Sequence, residues 1–425
     1  MNKAAQEFIK KHGLDPEAIS PEIIAPKMLE NMLSGLAGNI VDMPMIPTFL
    51  KGMDTPPMNK PVMVIDAGGT NYRCALASFN ESGCSISNLF KAKMPGTDKP
   101  VTWDEFIAFV ADSLVPVASE ADTVGFCFSY DAEITPNVDG IVNRIDKEVV
   151  VTGCEGKLVG EALSSALAQR GFPGKRVLIL NDTVAALLGG SAAIDVSRYS
   201  DFVGMICGTG INTCASASYE KISKLDLSGS GKMLINFECG AFSGIPSGDV
   251  DLAVDAASHN PGEKPMEKMC SGVYVGKICA AAFKAAVGDQ LFSEAVKGKL
   301  EAISEKIGGR LADEWAQGID SENIFGSAEE LEIASEIAKA VFRRSAHCMA
   351  SVILAIMLLN DSGKTPDCPM CVCAEGSLIS RSTYFLPELK KCLKEISERE
   401  EPRFAEIVVG NETTLPGSAV AALLN

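Results

Sequence analysis

The sequence predicts an α/β protein of two domains, and three observations lead there. Apolar strand-like runs alternate with amphipathic segments along most of the chain. At 425 residues the chain is too long for one ordinary core. Two strand–glycine–strand units, PVMVIDAGGTNYRCALASF and DFVGMICGTGINTCASASY, echo each other and suggest two related halves facing one another.

The elements follow in order. The first sixty residues read as helical, with breaks marked by Pro21, Pro26, Pro44 and Pro47. The first glycine unit is a strand, a tight turn and a second strand. Residues 103–117 have the period of an amphipathic helix, 123–128 that of a short strand, 157–170 a helix and 177–180 a strand. Residues 183–193 start a helix of small side chains, and the second glycine unit follows. Beyond Asp249 the chain is mainly helical, with long amphipathic segments between Gly272 and Asp361. CVCAEGSL reads as the last strand and turn, and a small-residue helix over 416–424 closes the chain.

Composition narrows the function. Hydrophobic residues make up 47% and charged residues 22%, the balance of a globular protein. Lys and Arg total 38 against 55 Asp and Glu, a formal charge of −17. That argues against a nucleic-acid partner, because affinity for a phosphate backbone needs a basic footprint. It leaves ATP open, since backbone N–H groups and a metal ion can hold a phosphate chain in an acidic protein. The 14 cysteines are scattered singly, as at Cys74, Cys207 and Cys279, and are expected as buried thiols in a reducing compartment. The start lacks an apolar signal core, and the longest apolar run, 349–359, is far short of a membrane span. A cytoplasmic location away from membranes is therefore expected. The cluster Cys368, Cys371 and Cys373 admits a zinc or redox site or an ordinary strand edge. The strand edge is favoured, because His12, His259 and His347 are all distant in sequence.

Three segments carry chemistry. In the first glycine unit, Gly68 and Gly69 let backbone approach phosphate oxygens, Thr70 and Asn71 add donors, and Arg73 adds a cation. Asp66, at the end of an apolar strand, is placed to hold the hydration shell of Mg²⁺. No Gly-Lys-Ser/Thr follows, so this is not a strand-to-helix P-loop. A plain hairpin turn would explain the glycines but not the polar residues around them. Next, Asn181 and Asp182 stand between an apolar strand and a helix, at the carboxyl end of a strand, where ligands of open α/β sheets bind. A carboxylate there can accept a hydroxyl proton while the hydroxyl attacks phosphorus; a helix N-cap is the alternative. The turn Gly208-Thr209-Gly210, with Asn212 just beyond, could cradle the other side of a phosphate chain or be a simple hairpin. Glu238 and Glu267, near glycine turns, suit sugar hydroxyls, although Glu267 could equally be a solvated helix residue.

Taken together, these segments resemble the hexokinase family of the actin-like (ribonuclease H-like) sugar kinase superfamily. The match begins at MIPTFL and continues through DAGGTNYR, which is similar to the phosphate-1 motif, and LNDTVAALLGG, similar to the segment with the catalytic aspartate. CGTGINTC resembles phosphate 2, INFECGAF and NPGEKPMEKMCSGVYVG the large-domain sugar segments, and VCAEGSL the adenosine segment. The resemblance implies two domains with a cleft between them. These are a small domain over 60–181, joined by the C-terminal helix 416–425, and a large domain over 182–415, with a helical segment over 1–59 packing on the large one. It implies Asp182 as the base and Asn181, Lys147, Asn212, Glu238 and Glu267 as sugar ligands. Asp66, Gly68, Gly69, Thr70, Asn71 and Arg73 would meet the phosphates of Mg-ATP, with Gly208, Thr209 and Gly210 opposite. Gly376 and Ser377 would lie beside adenosine.

The departures sit mostly in the sugar-facing loops. Phe126-Cys127-Phe128-Ser129 is matched to the family's Phe-Ser-Phe-Pro, which makes Cys127 the replacement for a serine sugar ligand. Ile145-Asp146-Lys147-Glu148 stands for Trp-Thr-Lys-Gly, so Asp146 puts an acceptor where the family has a hydroxyl. Cys239 replaces a tryptophan, Glu375 an aspartate, and Ser380 and Ser382 a Lys and a His. The phosphate chemistry therefore reads as intact while the sugar's identity does not follow. The leading expectation is ATP-dependent phosphorylation of a hexose at its 6-hydroxyl. A sugar sensor with weak turnover, and a kinase for another sugar such as an amino sugar, are the alternatives. If Asp146 selects an amino sugar, Asp146→Thr is expected to lower the ratio of kcat/KM for glucosamine to that for glucose; an unchanged ratio counts against that role.

Overall fold

The computed structural model describes residues 2–51, 54–145 and 149–425. It contains two sheets built on one plan. In the first, Val62–Gly68, Asn71–Asn80 and Gly83–Lys93 form an antiparallel meander. Thr123–Phe128 then pairs parallel with Val62–Gly68, and Arg176–Leu180 pairs parallel with Thr123–Phe128. The second sheet repeats this pattern strand for strand. Asp201–Cys207, Ile211–Ser218 and Lys232–Asn236 form the meander. Met370–Glu375 runs parallel to Asp201–Cys207, and Ala405–Val409 parallel to Met370–Glu375. One additional strand, Ile46–Lys51, lies antiparallel on Lys232–Asn236. The echo between the two glycine units is thus the visible trace of a duplicated topology.

Burial explains why the first strand reads as a continuous apolar run. Met63, Ile65 and Ala67 face a cluster with Phe106, Val110 and Leu163, while Val62 and Val64 face Leu178, Val184 and Val420. A strand covered on both faces has no reason to alternate polar with apolar residues. The helices Lys3–Lys11 and Pro21–Leu36 add Phe8, Ile24, Met28 and Met32 to the core of the second half, where the long helix Ala328–Asn360 is the central element. His12 fastens this N-terminal segment, with ring nitrogens 2.8 Å from Asp249 Oδ2 and 3.0 Å from Asp289 Oδ2.

Several expectations are corrected. Pro26 does not break a helix but lies inside Pro21–Leu36, near its start. MIPTFL is not helical; Pro47 sits in the edge strand Ile46–Lys51, a position that tolerates a missing N–H. CVCAEGSL is followed by a further strand, Ala405–Val409, half-buried and therefore weak as an apolar signal. Cys371 and Cys373 consequently lie in an interior strand of the sheet rather than at an edge, with sulfurs 3.9 Å apart. Among the described residues no group of three His, Cys, Asp or Glu is placed to hold a metal. The run 349–359 lies inside Ala328–Asn360, which is long and apolar enough to cross a membrane, yet 83% of its apolar window is buried within the fold.

Two helices join the halves. Asp182–Ser191 follows the last strand of the first sheet, and Thr414–Leu424 follows the last strand of the second. They cross at bare backbone. A Cβ at Gly417 would lie 1.9 Å from the Ala185 carbonyl oxygen, and one at Gly189 2.1 Å from that of Thr413. One cluster, containing Val184, Leu187, Val420 and Ala421, takes in Val64 of the first sheet and Leu234 and Cys373 of the second. Gly417→Ala is expected to destabilise the fold by at least about 2 kcal/mol in urea unfolding. Gly298→Ala, in a helix where an added Cβ meets nothing within 4 Å, should be neutral or stabilising by up to about 1 kcal/mol.

Candidate active site

The register of the first hairpin sets Asp66 opposite Arg73 and Gly68 opposite Asn71, leaving Gly69-Thr70 as a two-residue turn. Arg73 Nε and Nη2 donate to Asp66 Oδ2 at 3.0 and 2.6 Å, and Nη1 donates to Glu412 Oε1 at 3.2 Å. The Arg73 guanidinium thereby orients Asp66. Burial pushes the Asp66 carboxyl up, while Arg73 pulls it down. Thr70 is half-buried and Asn71 exposed at the tip.

In the second hairpin Cys207 pairs with Ile211, and the Gly208 N–H donates to the Gly210 carbonyl at 2.9 Å across the turn. The Gly272 N–H donates to the Gly208 carbonyl at 2.7 Å. Gly376 has φ +118°, and a Cβ there would lie 2.3 Å from the Cys207 carbonyl oxygen. The fold therefore presses Gly376 and the exposed Ser377 against the turn that carries Thr209, also exposed. The serines that replace Lys and His are engaged locally: Ser380 Oγ donates to the Gly376 carbonyl at 3.0 Å and Ser382 Oγ to Asp313 Oδ1 at 2.7 Å. Glu375 Oε1 accepts from the Thr413 N–H at 2.8 Å.

Asp182 opens the helix Asp182–Ser191, and Asn181 is its N-cap, accepting from the Thr183 N–H at 2.9 Å. Asp182 Oδ1 takes the same N–H at 2.7 Å and the Thr183 hydroxyl at 3.2 Å. No described residue donates to Oδ2, and the side chain keeps an accessible edge. Burial raises the carboxyl, the Thr183 N–H and hydroxyl lower it, and the charges of Glu238 and Asp66 raise it, to about 6 in balance. One carboxylate is thus held by its backbone with its second oxygen unengaged, within reach of both halves.

The opposite wall carries Glu238, whose backbone is left-handed at φ +54°. Its Oε1 accepts from Asn212 Nδ2 at 3.1 Å and Asn236 Nδ2 at 3.0 Å, and Lys264 Nζ stands 3.4 Å from Oε2. Asn212 Nδ2 also donates to Asn236 Oδ1 at 2.7 Å. Glu267 is no solvated helix residue: its Oε2 accepts from the Ile211 N–H at 3.1 Å, which ties it to the second hairpin. Asn236 and Lys264 escaped the sequence reading. Asn236 is the last residue of the strand Lys232–Asn236, two residues before Glu238.

One assignment is overturned. Cys127 is fully buried in the apolar cluster with Val64, Leu178 and Leu180, so it does not line the cleft. Ser129 does. It is half-buried just past the strand end, its N–H donates to the Ala67 carbonyl at 3.1 Å, and its Oγ is 3.3 Å from where a Gly68 Cβ would stand. The pattern Phe-Ser-Phe-Pro can equally be laid two residues on, over Phe128-Ser129-Tyr130-Asp131, where its first two residues match. Asp146 and Lys147 lie outside the described residues.

A duplicated fold with a carboxylate, two glycine hairpins and a polar wall between its halves is the two-domain, actin-like fold. Residues 202–424 match a family described as hexokinase, and residues 4–192 match a second family of the same description. The chain belongs to the hexokinase family. It is 27% identical over 430 aligned positions to a hexokinase of Schwanniomyces occidentalis, covering 93% of this chain and 87% of that one. To hexokinase-3 of Mus musculus it is 26% identical, over 90% of this chain but only 44% of that protein. Its fold is similar to that of a Schistosoma mansoni hexokinase solved with glucose, at TM-score 0.76 and 21% identity, covering 98% of this chain and 99% of the other.

The placement of the two residues predicts a split between them. Ser129→Ala is expected to lower kcat/KM for sugar-dependent ATP turnover about tenfold, the worth of one hydrogen bond. Cys127→Ser should leave KM within about twofold and lower the urea midpoint, because it buries a hydroxyl among apolar groups.

Proposed function

We propose that the protein transfers the γ-phosphoryl group of ATP to the primary 6-hydroxyl of a hexose, with Asp182 as general base. The observation that carries this reading is the Asp182 carboxylate: Oδ1 is fixed by Thr183 and Oδ2 accepts from no described residue. As the hydroxyl oxygen attacks phosphorus, its proton passes to Oδ2. A carboxyl raised to about 6 is ionised at neutral pH yet more basic than an ordinary aspartate. Phosphoryl transfer asks for positioning and charge stabilisation more than covalent help, which fits a site with one base and many backbone donors.

The nucleotide's anionic tail lies between the two hairpins in this reading. Asn71, Thr70 and the turn amides serve it from one side, and Thr209 with the Gly208–Gly210 turn from the other. Gly376 and Ser377 sit beside the adenosine. Asp66 has Oδ2 taken by Arg73 and Oδ1 turned toward the bare backbone of Gly68, 3.8 Å from where a Cβ would stand. That is the geometry of a carboxylate meeting the hydrated shell of a Mg²⁺ ion carried by phosphates, and it needs no all-protein cage. When bound, Mg²⁺ supplies charge neutralisation on the phosphates. Asn181, Glu238 and Glu267 would hold the sugar hydroxyls, with Asn212 and Asn236 keeping Glu238 in place.

Asp182→Asn is expected to reduce sugar-stimulated ADP release by about 10²–10⁴-fold while leaving ATP affinity nearly unchanged. Retained turnover in this variant would sink the assignment. In the wild type, kcat/KM should fall as pH drops through about 6, the value to which Asp182 is raised. The same shift has a stability consequence. Because the folded-state carboxyl sits above its ordinary value of 3.8, the folded chain binds the proton more readily, and this group's contribution to stability declines as pH rises from about 4 to about 6.

A further inference from the structure

We propose that Glu412 is a positioning residue for the metal–nucleotide complex. By sharing the Arg73 guanidinium with Asp66, it keeps that carboxylate able to draw the hydrated Mg²⁺ carried by the nucleotide's phosphates, and it acts from the second half of the fold. The inference rests on the kinase reading above and deepens it.

The Asp66–Arg73 pair alone is neutral, one negative charge against one positive, and a neutral pair draws a cation weakly. Arg73 Nε and Nη2 both donate to the same oxygen, Asp66 Oδ2, at 3.0 and 2.6 Å, which leaves Oδ1 for a ligand. Nη1 turns to a different residue and donates to Glu412 Oε1 at 3.2 Å. With Glu412 the group of three carries one net negative charge, and one guanidinium serves two carboxylates. The field of Glu412 reaches Asp66: burial pushes the Asp66 carboxyl up, Arg73 pulls it down, and Glu412 pushes it up again.

The second half holds Glu412 in place. It lies between Ala405–Val409, the last strand of the second sheet, and the helix Thr414–Leu424. On one side of it the Gly410 N–H donates to the Ala374 carbonyl at 2.9 Å, and on the other the Thr413 N–H donates to Glu375 Oε1 at 2.8 Å. Between these anchors Glu412 takes a left-handed backbone at φ +54°, a conformation that is costly for any residue with a Cβ. Its side chain is 67% exposed, and exposed ion pairs stabilise a fold little. Stability is therefore a poor reason for a glutamate here, whereas a cation meeting Asp66 would feel its charge. Glu375 directly precedes Gly376 and Ser377. In the kinase reading, the strand end beside adenosine thus also fixes the loop that serves the metal end of the nucleotide.

The test uses the full chain without sugar, so that no turnover consumes nucleotide. Displacement of trinitrophenyl-ATP gives the Kd of ATP with excess Mg²⁺ and of ATP in EDTA, for the wild type, Glu412→Gln and Glu412→Lys. Loss of the Glu412 charge should weaken Mg-ATP but leave metal-free ATP, which carboxylates repel, unchanged or tighter. The ratio of the Mg-ATP Kd to the metal-free Kd should rise about fivefold in Glu412→Gln at low ionic strength, and further in Glu412→Lys. High salt should shrink that rise. An unchanged ratio overturns the proposal. Both forms weakening together would mark lost structure, and both tightening together a carboxylate that merely occludes the phosphates. Sugar-dependent ADP release by the wild type is measured separately. If glucose, mannose and fructose all fail to stimulate it, the kinase reading falls, while the two affinities still decide the role of Glu412.

Discussion

The crossing of two helices on bare backbone is the constraint on which the rest of the structure depends. Asp182–Ser191 and Thr414–Leu424 approach so closely at Gly189 and Gly417 that a single methyl would collide with a carbonyl oxygen. Each helix closes one half of the duplicated topology, and their side chains share one apolar cluster with strands from both sheets. The N-terminus of the first helix is thereby fixed against both halves, and Asp182 is the residue that stands there. Close packing resists displacement because interiors are as dense as organic crystals. Asp182 is thus held by contacts remote from its own carboxylate.

Around Asp182 the chain gathers carboxylates: Asp66 from one hairpin, Glu238 and Glu267 from the opposite wall. Burial raises the Asp182 carboxyl, and the charges of Glu238 and Asp66 add to it. Among the described residues, the cations in this region are each paired. Arg73 holds Asp66 and Glu412, and Lys264 stands by Glu238. In the proposed reading this leaves the phosphate chain to backbone N–H groups, hydroxyls and a metal ion, the solution open to an acidic protein.

How much of this was legible in the sequence varies by residue. The hairpins were, because glycines flanked by apolar runs fix both the turn and the strand identity. Asp182 was legible as a polar break at the end of a strand. Cys127 was misassigned because a motif with two phenylalanines can be laid on the chain two residues apart, and both placements preserve which side chains share a strand face. Only the point where the strand ends separates a buried cysteine from a serine at the cleft. Ala405–Val409 was missed because it lies half-buried on a sheet edge, where the apolar signal fades.

By itself, the sequence determined the two-domain α/β class, the order of the elements, the two glycine hairpins and the carboxylates available for chemistry. These depend on local spacing, on φ/ψ freedom at glycine and on continuous apolar runs. The tertiary structure alone decided that Arg73 serves Asp66, that Asn212 and Asn236 hold Glu238, that Lys264 stands in the same wall, and that Ser129 rather than Cys127 lines the cleft. Those are contacts between residues far apart along the chain or choices at the end of a strand. Their outcome depends on how two sheets and two crossing helices fill space together, which no local pattern records.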